Sequence, residues 1–99
     1  MTLAELEVFN RYSSKLLRPG ENDETLAFEG GGIVVIALEA ADAQFTIVET
    51  YTADNVLEVA RKVLSQPHDQ PGYRFAILFR IPKQERLAAL QALGRIRGR

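Results

Sequence analysis

The order of apolar and polar residues predicts a chain of mixed helices and strands that begins with an amphipathic helix. Leucine and phenylalanine side chains recur at helical spacing over residues 3–17. Thr2 and Glu5 have the spacing of a capping box at its start, and Pro19 with Gly20 would end it. We therefore predict a first helix over residues 3–17.

Three strands are predicted next, joined by short connections. Thr25–Glu29 places its two large apolar side chains on one face. Ile33–Glu39 is apolar at nearly every position, which is typical of a central strand, and Gln44–Tyr51 alternates between apolar and polar residues. The glycine triplet Gly30–Gly32 and the short segment 40–43 favour antiparallel hairpins.

The second half of the chain predicts a crossover and a final helix. Thr52 would cap a helix over residues 53–65, and Tyr73–Ile81 alternates with its aromatic side chains on one face. Pro82 suits the first turn of a last helix that runs to about Leu93. The strand–helix–strand order predicts a fourth strand parallel to the third, lying beside it or returning to the first.

These elements predict one α+β domain over residues 1–99 with the order α-β-β-β-α-β-α. The expected architecture is a two-layer sandwich, in which a mostly antiparallel four-stranded sheet carries its helices on one face. Residues 94–99, with three arginines, are expected to form a frayed basic tail.

Composition indicates the size of the core and the cellular compartment that we expect for this protein. The chain has 99 residues, which is enough for one modest core, and it contains no cysteine, which excludes disulfides and thiolate metal sites. Glu5 and Glu7 interrupt the first apolar stretch, and the longest apolar run, Ile33–Leu38, is far shorter than a bilayer requires. We predict a small soluble cytoplasmic protein with no membrane partner.

Charge is distributed unevenly along the chain. Residues 1–58 carry eleven acidic and three basic side chains, a net charge of −8, whereas residues 59–99 carry nine basic and two acidic side chains, a net charge of +7. Either the two halves interleave on a mixed surface, or the molecule is dipolar and binds a basic partner through one end or pairs head-to-tail with a second copy of itself.

Few residues suggest catalysis. His68, the single histidine, is followed by Asp69 and is a candidate acid-base group. The polar loop around it is predicted to be solvent-exposed, which favours a solvated histidine over a catalytic one. The glycine triplet Gly30–Gly32 is the other candidate, but the predicted elements place it between two strands with no lysine after it, which favours a hairpin turn over a phosphate loop. We predict no cofactor and no metal site, and the sequence favours a non-enzymatic function.

Candidate binding residues are charged side chains placed where a partner could reach them. Arg74 and Arg80 share one face of the last strand, which is either open to a partner or covered by a helix. Glu49 shares the parity of Ile47 and Tyr51, so it is either paired within the core or reaches solvent near the strand end. The full set comprises Arg74, Arg80, Lys83, Arg86, Arg95 and Arg97 with Glu39, Asp42 and Glu49.

Three functions follow from this reading. The first is a non-enzymatic protein-binding or regulatory module, an adaptor, chaperone-like or inhibitor-like protein, that uses an exposed sheet face or edge and binds a protein or a second copy of itself. The second is weak nucleic-acid association through the basic C-terminal helix and tail. The third is a small enzyme that uses His68.

Overall fold

Four antiparallel strands form one sheet whose two inner strands are buried along most of their length. The computed structural model describes residues 11–19, 30–40, 44–67 and 73–97, and the side chains up to residue 96. In chain order the elements are β1 (Ser13–Leu17), β2 (Gly32–Glu39), β3 (Phe45–Ala53), α1 (Val56–Ser65), β4 (Arg74–Arg80), a 3-10 turn (Lys83–Glu85) and α2 (Arg86–Arg97). The predicted α+β class and the four-stranded antiparallel sheet are confirmed.

The strand order is β1-β4-β2-β3, and each neighbouring pair is antiparallel. Strand β4 therefore runs parallel to β3, as the crossover predicts. It lies beside β2 and β1, whereas we expected it beside the third strand or the first predicted one. This inner position suits its sequence, because six of its seven residues are buried.

The predicted first helix is wrong over its described part, since Ser13–Leu17 is strand β1. Leu16 and Leu17 account for the difference. In a helix they lie on one stripe, but in a strand successive side chains point to opposite faces. Leu17 is buried in the core on one face of the sheet, and Leu16 packs against the core on the other.

Each face of the sheet carries its own apolar core and its own helix. Odd-numbered residues of β2 and β4, such as Val35 and Ile77, pack with Ala89 and Leu93 of α2. Even-numbered residues pack with Val56, Ala60 and Val63 of α1. The helices thus lie on opposite faces, which makes three layers. The prediction of helices on one face is wrong, because β2 and β4 bury apolar residues on both faces and each face is covered by its own helix.

A bulge in β3 divides that strand between the two cores. Ile36 pairs with Glu49, but the next residue, Ala37, pairs with Ile47, so Val48 is the extra residue. A bulge shifts the alternation of side chains by one position. Ile47 consequently belongs to the α2 core, whereas Tyr51 packs against the α1 core. The prediction that both share one face is wrong for this reason.

Helix boundaries also differ from the predicted ones. Asn55 caps α1, its Oδ1 accepting the N–H of Glu58 at 3.1 Å, while Thr52 belongs to β3. Helix α2 begins after a 3-10 turn and continues to Arg97, beyond the predicted end at Leu93. The predicted strand over residues 25–29 and the residues His68 and Asp69 lie outside the described residues. Within the described ranges, no helix has the length and apolar character needed to cross a membrane.

Candidate functional site

The edges of the sheet are where its backbone can reach a partner. Helices α1 and α2 cover the two faces of the sheet. The strand order leaves β1 and β3 at its edges, each with one side unpaired among the described strands. An edge strand presents N–H and C=O groups that can pair with an added strand.

Strand β1 forms a short and regular edge. Its five residues pair with β4 in an unbroken register from Ser13 opposite Arg80 to Leu17 opposite Ala76. Ser13, Ser14 and Lys15 are exposed, and burial begins only at Leu16. The first three positions therefore combine accessible side chains with an undistorted backbone.

The β1 edge is basic. Residues 11–19 contain Arg11, Lys15 and Arg18 and no acidic residue. On the opposite side of the sheet, residues 44–54 contain Glu49 and Asp54 and no basic residue. Within the described residues the sheet therefore has a basic β1 edge and an acidic β3 edge, and both edges come from residues 1–58, the half of the chain with a net charge of −8.

The three cations of the β1 edge are held differently. Arg11 forms an ion pair with Glu85 at 3.1 Å, and the hydroxyl of Tyr12 also donates to Glu85, at 2.9 Å. Arg18 lies over the ring of Tyr73, with its guanidinium carbon 5.7 Å from the ring centre. Lys15 is exposed and forms no ion pair with any residue in the described ranges. Lys15 is thus the cation of this edge with the fewest competing contacts.

The β3 edge is longer but is interrupted. Its bulge at Val48 breaks the register in the middle of the strand, and Glu49 follows immediately. Glu49 is exposed and accepts a hydrogen bond from the hydroxyl of Tyr51. Bulges and charged side chains are features with which sheet edges resist the addition of another strand. Of the two readings of Glu49, the structure has the one in which it reaches solvent.

Arg74, a predicted binding residue, has a structural role instead. Its side chain is only 7% exposed, and its Nη2 donates to the carbonyl oxygens of Val63, at 2.8 Å, and of Gln66. These carbonyls lie at the end of α1, where backbone acceptors lack full helical pairing, and that of Val63 also accepts the N–H of Gln66 at 3.2 Å. The face of β4 that carries Arg74 is covered by α1, so this arginine is unavailable to a partner.

Arg86 likewise forms contacts within the molecule. Its Nε donates to the carbonyl of Ile81 at 3.0 Å, and its Nη1 forms an ion pair with Asp54 at 3.1 Å. Arg80 is exposed at the end of β4, where its side chain approaches Gly30. The structure therefore brings Arg80 and Arg86 together at one end of the sheet.

The remaining predicted residues are dispersed. Lys83 and Arg95 are exposed, one in the 3-10 turn and the other near the end of α2, and Arg97 is the last residue of that helix. Glu39 is exposed at the end of β2, and Asp42 lies outside the described residues. Together they form no single cluster.

Sequence reasoning missed the basic β1 edge. A helical assignment placed Arg11 and Lys15 away from the apolar stripe and gave them no function. The signal that was available is the order of residues 13–17, two serines and a lysine before two leucines, in which serine disfavours a helix interior. Among the described residues, no group of three or more histidine, cysteine, aspartate or glutamate side chains could hold a metal ion.

Comparison with known proteins provides no family for this chain. No protein-family model matches it, and neither a curated protein nor a solved structure matches it significantly.

Proposed function

We propose that this protein is a non-enzymatic protein-binding module that takes up an extended acidic segment of a partner protein along strand β1. The observation that carries the proposal is the regular and exposed edge that β1 presents, where residues 11–19 contain three basic residues and no acidic one. A segment bound in this way would add a strand to the sheet beside β1.

The placement of the helices supports an edge over a face. Both faces of the sheet are packed against helices, so a partner would have to displace α1 or α2 to reach them. At an edge, by contrast, main-chain hydrogen bonds form without any rearrangement of the core, and side chains of the added strand provide selectivity.

The charges support β1 over β3 and an acidic segment over a neutral one. Lys15 lies within the strand, while Arg11 and Arg18 flank it on either side. Complementary charge accelerates association and fixes the register of a bound strand more than it adds affinity. The β3 edge lacks these advantages because its bulge and Glu49 oppose strand addition.

The other two functions have less support. Of the basic residues assigned to nucleic-acid contact, Arg86 is held in an ion pair with Asp54. An enzyme built on His68 rests on a residue outside the described ranges. An adaptor, chaperone-like or inhibitor-like role in the cytoplasm remains our proposal for the setting in which the β1 edge acts.

The test is a pull-down from host lysate with two variants of equal charge. The double variant Lys15→Glu/Arg18→Glu reverses the β1 edge, and Lys62→Glu/Arg95→Glu makes the same change of net charge on the two helices. We expect a protein partner to bind the wild type and the helix variant but not the β1 variant. The recovered partner should also slow hydrogen exchange of the β1 amides.

Two results would contradict the proposal. Equal loss of the partner in both variants would show that only net charge matters. Recovery of nucleic acid in place of protein, lost with the β1 variant, would assign the basic edge to phosphate contacts instead.

A further inference from the structure

Strand β1 presents different chemistry on its two sides. Residues that lie opposite each other on neighbouring strands share a face of the sheet. Lys15 lies opposite Leu78, which belongs to the α1 core. Leu16 lies opposite Ile77, which belongs to the α2 core. Successive residues of β1 therefore alternate between an α1 side and an α2 side, and the residues of a strand added beside β1 would alternate in the same way.

The α1 side of β1 is polar and carries a cation. Ser13 and Lys15 are exposed on this side, whereas Leu17, the next residue on it, is buried. Lys15 forms no ion pair with any residue in the described ranges. Opposite charges on neighbouring strands stabilise a pair and like charges destabilise it. An acidic side chain therefore suits the position beside Lys15 on an added strand.

The α2 side of β1 is largely apolar. Leu16 and Tyr12, which precedes the strand, are half-buried there and pack against the α2 core. Ser14 lies between them in the sequence and carries no charge. Apolar side chains of an added strand would cover the remaining accessible surface of this side. A carboxylate placed there would lose hydration without meeting a cation of strand β1.

A second copy of β1 does not meet these requirements. Two β1 strands paired about their middle residue would place Lys15 beside Lys15, whether they run parallel or antiparallel. Like charges in this arrangement destabilise the pair. The occupant of the edge is therefore a segment of a different protein.

We infer that the β1 edge selects segments in which acidic and apolar residues alternate. An acidic side chain lies beside Lys15 on the α1 side, and apolar side chains lie beside Ser14 and Leu16 on the α2 side. The pattern rests on the proposed function, to which it adds the order of residues in the bound segment. It holds for either direction of that segment, because adjacent residues share a face in parallel and antiparallel pairs alike.

The test is an NMR titration of the isotope-labelled full chain with two acidic peptides of identical composition. Glutamate and valine alternate in the first peptide, whereas the glutamates of the second are contiguous and flanked by valines. Wherever the second peptide places a glutamate beside Lys15, it places another glutamate on the α2 side. We expect the alternating peptide to bind about threefold to tenfold more tightly, as measured from the amide signals of β1, because its cross-strand pairs are favourable on both sides.

The outcomes separate the residue pattern from the proposed function. Equal affinity of the two peptides at the β1 amides, or tighter binding of the contiguous one, would overturn the pattern and leave the acidic-segment proposal standing. Failure of both peptides to shift the β1 amides would overturn the proposed function as well.

Two variants of equal charge test the assignment of the two sides. Ser13→Lys adds a cation on the α1 side and Ser14→Lys adds one on the α2 side, both at exposed positions. Ser13→Lys should keep or raise the preference for the alternating peptide. Ser14→Lys should lower that preference by about threefold, because contiguous glutamates then meet a cation on each side. An equal preference in the two variants would show that net charge, and not the side of the strand, decides binding.

Discussion

The two helices cover opposite faces of one sheet, yet they are held in different ways. Helix α1 is fixed at both ends by side chains, Asn55 at its start and the buried Arg74 at its end. Helix α2 begins after a 3-10 turn, exposes Leu87 at 69%, and contains Gly94. In α1 the described contribution is side-chain capping as well as packing, whereas in α2 it is the burial of Ala89 and Leu93.

Among the three substitutions considered, removal of the C-terminal cap of α1 should change the free energy of unfolding most. We expect Arg74→Met to lower the free energy of unfolding by about 3 kcal/mol, because two helix-end carbonyls lose a charged donor while the side-chain volume is kept. Urea denaturation measures this value. Arg95→Met, the control on α2, should change it by less than about 0.5 kcal/mol. Equal stability of the two variants would refute the capping role.

Removing the N-terminal cap should have a smaller effect. We expect Asn55→Ala to lower the free energy of unfolding by about 1 kcal/mol, since the N–H of Glu58 loses its acceptor. Asn55→Asp keeps an acceptor and should restore the stability measured by thermal denaturation. If the alanine and aspartate variants are equally destabilised, the hydrogen bond is not the reason for the loss.

The smallest expected change is a gain in α2. Alanine is favoured over glycine by about 0.5–1 kcal/mol inside a helix, and a Cβ at position 94 would meet no atom within 4 Å. Gly94→Ala should therefore raise the free energy of unfolding by about that amount in the same denaturation experiment. A loss of stability would show that the exposed face of α2 is in contact with another part of the molecule.

Sequence reasoning predicted the elements with strong local signals. The continuous apolar run of β2 and the helical stripe of α1 match the structure, and β4 has its predicted aromatic face but is buried on its other face as well. Each of these signals comes from residues that lie close together in the sequence. The class and the antiparallel sheet follow from these three elements and from short connections.

The features that were missed depend on contacts distant in sequence. Leu16 and Leu17 read as a helical stripe, and only a sheet with a core on each face gives both of them burial as strand residues. The bulge at Val48 could not be predicted from the sequence, because strict alternation assumes that no extra residue is inserted in the strand. The position of Arg74 at the end of α1 depends on where the crossover returns β4 to the sheet. A distant contact, the pairing of β1 with β4, also defines the candidate binding edge.

The pairing of β1 with β4 has a consequence for how the chain reaches its native state. Strand β1 is the first described strand in the sequence, but its partner is the last. Non-local pairings of this kind raise contact order and slow folding, because a long loop must close before the contact forms. During synthesis, the hairpin of β2 and β3 can assemble early, whereas β1 must wait for β4 to leave the ribosome.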